Sequence, residues 1–362
     1  METIQINSAK SEALVNKIML TANYGALALM ISIGHRTGLF DVMSRIDSFA
    51  TIPEISNKAG LNERYVKEWL GAITVAGIVE HDPAANSYYF PPMHAAVLTR
   101  GAGTDNMAIA MQYIALLGGV EDQIVNCFYE GGGVPYSEFK RFHEIMAEES
   151  ELTVVASLDN LILPLIPGIQ DQMQRGIKVL DVGCGRGKAL RYLAQAYPSS
   201  SFLGYDLSDE AIAYAKLEAE KIGLANLRFE QKDITNFDIN EKFDLITAFD
   251  AVHDQARPDN VLRGIYRALN DDGVFLMQDI AASSHHHNNL EHPLGIFMYA
   301  ISTMHCMTVS LAQGGMGLGT MWGRETALRM LAEAGFKNVQ IKTLEHDIQN
   351  EYYIVRKEIN NI

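Results

Sequence analysis

Residues 179–190, VLDVGCGRGKAL, decide the fold of this chain. An apolar stretch typical of a buried strand runs into glycines at Gly183, Gly185 and Gly187, and a helical pattern begins near Lys188. Because glycine adopts positive φ angles and has no Cβ, a ligand can lie against the main chain at the N-terminus of a helix. The segment therefore predicts a strand, a tight turn and a helix, with a nucleotide-type ligand at the turn.

From Ile177 onward, apolar strands alternate with amphipathic helices. The predicted strands are IKVLDV (177–182), SFLGYD (201–206), LRFEQKD (227–233), FDLITAFD (243–250) and GVFLMQDI (273–280). This rhythm predicts an α/β fold with a doubly wound, mostly parallel sheet. The final stretch, VQIKTLEHDIQNEYYIVRK (339–357), leaves little room for a helix and predicts an antiparallel edge pair.

Carboxylates lie next to the glycine turn and at the tips of the following strands. The dinucleotide fingerprint has a glycine where this chain has Lys188, so the GxGxG spacing disfavours a nicotinamide cofactor. Asp206 follows the turn by about 20 residues, where a carboxylate accepts both hydroxyls of a ribose. Asp233 ends the next strand and is placed to receive an adenine amino group. Asp181 precedes the glycines and is expected to organise the turn or to contact the ligand through water.

In order and separation, VLDVGCGRG, GYDLS, KDI and FDLITAFDAVHD resemble the successive motifs of class I S-adenosylmethionine-dependent methyltransferases. The resemblance implies an enzyme (EC 2.1.1.-) with S-adenosyl-L-methionine as cofactor and S-adenosyl-L-homocysteine as product. It implies that Asp206 holds the ribose and Asp233 the adenine, with Leu207 and Ile234 beside the adenine. The expected cofactor-binding residues are Asp181, Gly183, Gly185, Gly187, Asp206, Leu207, Asp233, Ile234 and Phe249.

The N-terminal part has a different pattern. Residues 8–43 show helical spacing around Gly25, which we expect to split two helices. TIPEISNKAG, LNERYVKEWLGAITVAGIVEH and DPAANSYYF then follow one another as helix, turn, helix and wing. We expect a helical and winged-helix dimerisation domain at 1–105, connecting helices at 106–175, and the S-adenosylmethionine-binding domain at 176–362 with a lid insertion at 281–323.

Charge argues against a nucleic-acid partner. The chain has 44 acidic and 29 basic residues, a formal charge of -15. The winged-helix segment alone has six acidic and four basic residues between Asp47 and Arg100. Because DNA-binding surfaces are basic, we expect this module to be a packing platform that forms a homodimer through the apolar N-terminal helices. The alternative is a donor-sensing transcriptional regulator that uses the winged helix on DNA.

Cysteines and apolar runs bear on localisation. Cys127, Cys184 and Cys306 are far apart and form no CxxC pair, which favours a reducing, cytoplasmic setting. The first residues lack the basic and apolar regions of a signal peptide, and no apolar run approaches the roughly 18 residues of a membrane span. We therefore expect a cytoplasmic protein without a membrane partner.

His253 is the candidate catalytic residue. It lies in FDAVHDQARP (249–258), at the sheet edge where doubly wound folds bind ligands, and the pKa of histidine suits a general base near neutral pH. The segment resembles the His-Asp motif of plant-type small-molecule O-methyltransferases, which implies that His253 removes the proton of the acceptor. Gln255 stands where that family usually has tryptophan, and the carboxylates that orient the histidine are not identifiable in the sequence. The alternative is that His253 caps the next helix or lines the cofactor cleft without chemistry.

The insertion at 281–323 contains SSHHHNNLEHPLG and YAISTMHCMTVSLAQGGMGLGTMWG. Its five methionines and its glycines favour a mobile lid over an apolar acceptor pocket, whereas the alternative is a helix packed in the core. For the histidines of this loop we expect a solvated polar segment and no metal site. The candidate substrate residues, including two from FKRFHEIMAEES (139–150), are His143, Met146, His292, His305, Met307 and Trp322.

Together these features predict methyl transfer to a small, largely apolar molecule by in-line displacement, with oxygen preferred as the acceptor atom. Transfer to nitrogen or sulfur without a base is the alternative within the same chemistry. The order of a winged helix, connecting helices and a donor domain is similar to a bacterial-type group of winged-helix class I methyltransferases. The sequence leaves the identity of the acceptor open.

Overall fold

The chain forms two compact units, Met1–Gly118 and Gly119–Ile362, in a computed structural model that describes residues 8–237 and 239–357. Each unit has its own apolar core. The segment 106–175, which the sequence sets apart as connecting helices, is divided between the two units. Its first helix belongs to the N-terminal unit, and the remainder belongs to the C-terminal unit.

The N-terminal unit is a winged helix with a long leading helix. The sequence predicts a turn with one short strand after the helix-turn-helix pair, and the structure has a small antiparallel sheet in the order β1-β3-β2, in which β1 precedes the pair and β2 and β3 follow it. The elements are α1 (Ser8–Thr37), α2 (Leu39–Met43), β1 (Ala50–Thr51), α3 (Ile52–Ala59), α4 (Glu63–Val75), β2 (Glu80–Asp82), β3 (Ser87–Tyr89), α5 (Pro92–Leu98) and α6 (Gln112–Gly118).

Local capping explains why α3 and α4 begin where they do. The Thr51 amide donates to Glu54 Oε2 at 2.7 Å in a capping box, and Asn62 Oδ1 accepts the Arg64 amide at 3.0 Å. Gly60, with a φ of 66°, ends α3 in the left-handed conformation. These caps set the tight turn between the two helices.

The helix α1 corrects one prediction, because it runs through Gly25 without a break. A Cβ at Gly25 would have no atom within 4 Å, so no close packing requires a bend there. An isolated glycine inside a helix costs only about 1 kcal/mol, which the rest of a 30-residue helix offsets. Toward its N-terminus α1 is solvated, and its large apolar side chains that are more than half exposed are Leu14, Val15, Ile18, Met19, Leu20 and Tyr24.

The C-terminal unit contains a seven-stranded sheet in the order β6-β5-β4-β7-β8-β10-β9. The five strands from β6 to β8 in this order are parallel, and β10 runs antiparallel to both β8 and β9, which confirms the predicted fold and the C-terminal strand pair. The strands are β4 (Lys178–Val182), β5 (Ser201–Asp206), β6 (Leu227–Gln231), β7 (Phe243–Phe249), β8 (Leu269–Ile280), β9 (Asn338–Leu344) and β10 (Asp347–Arg356).

Helices cover both faces of this sheet. Val179 and Leu180 are consecutive in β4 and fully buried in different clusters, because successive side chains of a strand point to opposite faces. One cluster contains α12 and α15, and the other contains α9, α10 and α11. The helices of the unit are α7 (Glu121–Glu130), α8 (Phe142–Thr153), α9 (Ile169–Arg175), α10 (Lys188–Ala196), α11 (Asp209–Lys221), α12 (Pro258–Ala268), α13 (Gly295–Ile301), α14 (Met307–Ala312) and α15 (Gly323–Glu333).

Two helical segments, Ala9–Thr37 and Gly295–Ala312, have the length and hydropathy to cross a membrane by composition alone. A third candidate is the bent pair Phe142–Leu165 and Ile169–Arg175. The expectation that no apolar run reaches this length is therefore wrong. Serine, threonine and glycine residues divide the apolar runs in the sequence, whereas the continuous helix joins them into one segment.

Candidate active site

The three glycines of the turn between β4 and α10 have different roles. All have positive φ, at 76° for Gly183, 52° for Gly185 and 67° for Gly187. A Cβ at Gly183 would lie 2.4 Å from the Ala251 Cβ, and one at Gly187 would lie 2.3 Å from Phe229 Cζ. A Cβ at Gly185 would meet nothing within 4 Å. Two glycines therefore let the turn pack against neighbouring elements, and the middle one leaves open space.

Asp206, at the tip of β5, holds the turn in place. Its Oδ2 accepts the Gly185 amide and its Oδ1 accepts the Ser208 amide, both at 2.8 Å. The Gly183 and Cys184 amides donate to the Tyr205 carbonyl at 2.8 and 3.0 Å. An ionised carboxylate has about four acceptor positions, so Asp206 keeps capacity for further hydroxyl donors.

Two adjoining cavities meet this turn. The larger, of about 580 Å³, lies among the tips of the parallel strands and the segment 136–146. The smaller, of about 110 Å³, lies among the turn, α8 and the start of β10. Both are lined by Gly183, Gly185, Phe249 and Asp250, so the two spaces lie side by side along the turn.

Most of the predicted cofactor-binding residues lie at these cavities. Gly183, Gly185, Asp206, Leu207, Ile234 and Phe249 line the larger cavity, and Asp181 and Gly187 line the smaller. Asp233 is exposed, accepts the Thr235 amide at 2.8 Å and is absent from the described lining of either cavity, which its neighbour Lys232 joins instead. The chain bends after β6, and this bend turns Lys232 rather than Asp233 toward the larger cavity.

The set fits the adenosyl sulfonium that the sequence predicts. Asp206 retains acceptor capacity for ribose hydroxyls, and the position of Gly185 is open to a ligand. Asp181 is buried and accepts the Thr247 hydroxyl at 2.7 Å, and burial raises the pKa of this carboxyl to about 7. Asp250 is buried, and its Oδ1 has no hydrogen-bond partner among the described residues. Such acceptors suit a ligand that carries hydroxyls and positive charge.

His253 is only 3% exposed and is not among the described lining residues, although Ala251 before it and Asp254 after it line the larger cavity. Its Nδ1 is 2.8 Å from Asp279 Oδ1, which also accepts the Trp322 indole N–H at 2.9 Å. Burial lowers the pKa of His253, but the Asp279 carboxylate, together with Cys306, raises it well above its usual value. Sequence reasoning missed Asp279, although it is the last carboxylate of GVFLMQDI, next to β7 in the sheet.

Asp254, the next residue, does line the larger cavity. The Tyr136 hydroxyl donates to its Oδ2, and the Gln255 amide donates to its Oδ1 at 3.1 Å. Burial raises the pKa of Asp254 to about 6. Neither Tyr136 nor Asp254 was a predicted site residue. The signal for Asp254 was its place in the His-Asp pair, whereas Tyr136 follows a glycine-rich segment that carries no motif.

The predicted substrate residues separate into three groups. His143 and Met146 line both cavities. His305 is buried, and its ring centroid lies 3.7 Å from that of Phe142, which lines the larger cavity. Burial lowers the pKa of His305 to about 3, which keeps the imidazole neutral. His292, Met307 and Trp322 are not among the described lining residues. The His292 ring contacts the Ala281 carbonyl, and the Trp322 indole contacts Asp279.

The insertion at 281–323 is attached to the loop between β7 and α12. The Ser310 hydroxyl donates to the Gln255 carbonyl and the Met316 amide to the Ala256 carbonyl, both at 2.9 Å. A π-helical turn, Ser302–Cys306, joins α13 to α14 and carries Cys306 to the vicinity of His253. Of the methionines, Met298 is buried and Met316 is exposed. Within the described residues, no group of three or more His, Cys, Asp or Glu side chains is placed to hold a metal ion.

Comparisons with known proteins agree with this architecture. Residues 25–100 match the family model of an Rv2258c-like winged HTH domain, and residues 173–345 match that of a methyltransferase domain. The sterol 24-C-methyltransferase of Saccharomyces cerevisiae is 30% identical over 47% of this chain and 43% of its own length. The erythromycin 3''-O-methyltransferase of Saccharopolyspora erythraea is 24% identical over 62% of this chain and 76% of its own. The chain spans less than half the length of the first of these relatives.

Two solved structures show the fold over nearly the whole chain. A putative O-methyltransferase from Nostoc punctiforme has a TM-score of 0.70 at 18% identity, covering 94% of this chain and 98% of its own. Human N-acetylserotonin methyltransferase, in a complex with S-adenosylmethionine, has a TM-score of 0.67 at 15% identity and covers 99% of each chain. At these identities, the likeness describes the fold.

Replacing Asp206 with asparagine should weaken binding of S-adenosylhomocysteine about tenfold or more, because the neutral amide loses charge-assisted hydrogen bonds to the turn and to ribose hydroxyls. Titration calorimetry measures the effect. The exposed Asp209, three residues later, provides the matched control, and Asp209→Asn should keep the wild-type dissociation constant. Equal affinities of Asp206→Asn and wild type would contradict the role of Asp206.

Proposed function

We propose that this chain, which joins a winged helix-turn-helix domain to a class I methyltransferase domain, transfers a methyl group from S-adenosylmethionine to an oxygen atom of a small, largely apolar molecule. The observation that carries the proposal is the buried pair of His253 and Asp279 beside the cavity at the glycine turn. A pair of this kind removes a proton from a hydroxyl.

The donor would be held by the turn and the strand tips. Asp206 would accept the ribose hydroxyls, and Leu207 and Ile234 would lie beside the adenine. When bound, the cofactor supplies an electrophilic methyl group on a sulfonium. The protein has to align the donor with the acceptor and to exclude water from the reacting atoms. The position of the glycine turn at two adjoining cavities supports this role.

Asp279 sets the proton position on His253. Because the Asp279 carboxylate accepts from Nδ1, the neutral imidazole carries its proton there and presents Nε2 as the base. The Trp322 N–H fixes the same carboxylate oxygen, which holds the orientation of the pair. When Nε2 takes the acceptor proton, Asp279 stabilises the imidazolium that forms. The Cys306 thiol lies near this imidazole and, with Asp279, raises the pKa of His253.

The chemistry of the cavity wall supports an apolar acceptor. Tyr136, Phe139, Phe142 and Met146 line the larger cavity. The Phe142 ring is braced by His305, which burial keeps neutral. A wall of aromatic and thioether groups favours contact with apolar surface.

The remaining proposals concern partners and location. The acidic composition supports a small-molecule acceptor over nucleic acid. Cys127, Cys184 and Cys306 are free thiols, which supports a reducing, cytoplasmic setting. For the exposed apolar side chains of α1, we propose that a second copy of the chain covers them in a homodimer.

Charges placed on α1 should dissociate that dimer. The double variant Leu14→Asp and Ile18→Asp puts two carboxylates on one face of the helix, where burial against a second copy would be costly. Light scattering should give the mass of a dimer for wild type and of a monomer for the variant. Asn16→Asp, on the same helix, should stay dimeric. A wild-type protein that is monomeric at micromolar concentration would contradict the homodimer.

Replacing His253 with alanine should lower kcat by about 10²-fold or more, because general-base catalysis contributes on that order. Formation of S-adenosylhomocysteine can be measured over a panel of small apolar phenols and alcohols, whose hydroxyl proton has to be removed. The exposed His287 offers a matched control, and His287→Ala should retain wild-type turnover. An unchanged kcat in His253→Ala would remove the base and favour transfer to nitrogen or sulfur.

The pH dependence follows from the raised pKa of His253. Only the neutral imidazole acts as a base, so kcat/KM should rise with pH through a midpoint above the ordinary histidine pKa of about 6.5. Asp279→Asn removes the charge that raises this pKa, so the midpoint should move to lower pH while the plateau falls. The exposed Asp271→Asn should leave the profile unchanged. A midpoint that stays in place in Asp279→Asn would refute the pairing.

A further inference from the structure

A loop forms part of the wall of the larger cavity. This loop, residues 134–141, is called the strap below; it contains a short 3-10 turn, Tyr136–Glu138, and leads into α8. Tyr136, Phe139 and Lys140 of the strap line the cavity. The amides of Phe139 and Lys140 donate to carbonyls within the strap, so these backbone hydrogen bonds give the loop its local shape without tying it to the sheet.

A side-chain hydrogen bond joins the strap to the loop after β7. The Tyr136 hydroxyl donates to Asp254 Oδ2, and both side chains line the larger cavity. Burial, together with the Asp254 carboxylate, raises the pKa of Tyr136 well above its usual value, so the hydroxyl keeps its proton and acts as the donor. Hydrogen bonds to an ionised acceptor are stronger than those between neutral groups. The bond therefore ties the middle of the strap to the opposite side of the cavity.

The other side-chain contacts of the strap are of a different kind. Phe139 packs edge-on against His305, with 4.6 Å between the ring centroids. Glu138 accepts the Gln123 side-chain amide at 2.9 Å, and this pair is exposed, so water competes for the same groups. Aromatic packing fills space and fixes the position of a polar group less strictly than a hydrogen bond does.

The two ends of the strap differ. At the first end, a Cβ at Gly133 would lie 2.0 Å from the Thr308 carbonyl oxygen, and the Val134 amide donates to Thr308 Oγ1 at 2.7 Å. At the other end, Arg141 has a φ of 76°, in the left-handed region that residues other than glycine rarely adopt. Strained backbone of this kind persists only where the surrounding structure imposes it. The strap thus has one anchored end and one strained end, with Tyr136 between them.

We propose that the hydrogen bond between Tyr136 and Asp254 is a latch that holds the strap over the larger cavity, and that ligands enter and leave when it opens. The strap and Asp206 line the same cavity, so one opening serves both donor and acceptor. Closure of a loop shields the reacting atoms from water, and its opening releases the product. The inference rests on the proposed function only in taking donor and acceptor as the ligands. Tyr136 and Asp254 are positioning residues, since they act on the strap.

Hydrogen exchange on the ligand-free full chain tests whether this bond holds the strap. Tyr136→Phe removes the hydroxyl and keeps the ring, so amides at 135–141 should exchange about tenfold faster, with those of α11 unchanged. Asp254→Asn weakens the same bond from the other side and should also accelerate exchange there. The double variant should exchange no faster than Tyr136→Phe alone, because both changes remove one interaction.

The exposed Tyr129 of α7 provides the matched control for a lost hydroxyl, and Tyr129→Phe should exchange as wild type does. Equal exchange of the strap in Tyr136→Phe and wild type would overturn the inference. An equal acceleration in α11 would also overturn it, because the hydroxyl would then stabilise the whole unit and not the strap.

Stopped-flow binding of S-adenosylhomocysteine tests whether the strap controls entry. A latch slows entry and exit alike, so both rate constants should rise about fivefold or more in Tyr136→Phe, with Kd changed less than about twofold. Unchanged rates, or a rise in the dissociation rate alone, as expected of a residue that only contacts the ligand, would overturn the inference. Absence of S-adenosylhomocysteine binding by wild type would contradict the proposed function, whereas the exchange result decides the latch independently.

Discussion

The hydrogen bond from the Gly185 amide to the Asp206 carboxylate is the interaction on which the site depends. It joins the turn after β4 to the tip of β5, and the same carboxylate caps the chain entering α11 through Ser208. The carboxylate of Asp206 thus joins the glycine turn, the tip of β5 and the start of α11. Because the turn also lies against Ala251 without room for a Cβ at Gly183, the tip of β7 is brought to the same place.

Much of this could be predicted from sequence, because it follows from local patterns. The periodicity of strands and helices, the glycine spacing and the position of Asp206 after its strand each depend on residues that are close in the sequence. Asp279 is different, since its meeting with His253 depends on the pairing of β7 with β8. Asp233 shows the converse, because it was predicted from its motif position, whereas the structure leaves its side chain exposed after β6. Gly25 misled because a lone glycine does not end a long helix.

Burial assigns different electrostatic states to similar residues within a small volume. His253 and His305 are both buried, but only His253 has a carboxylate partner, so their pKa values move in opposite directions. The carboxyls of Asp181 and Asp254 are likewise shifted upward by burial. In such a site, the surroundings of each side chain, and not its residue type alone, decide whether it acts as an acid, as a base or as a neutral packing group.

The π-helical turn at Ser302–Cys306 makes the insertion sensitive to chain length. A π turn holds one more residue than a regular helical turn, and each residue advances an α-helix by about 100°. Deleting a single residue here would let α13 and α14 merge into one regular helix and would rotate every later side chain of α14. The hydrogen bonds that Thr308 accepts from the Val134 amide and that Ser310 donates to the Gln255 carbonyl would then be lost. Homologous chains that differ by one residue in this segment would therefore carry a differently shaped acceptor wall.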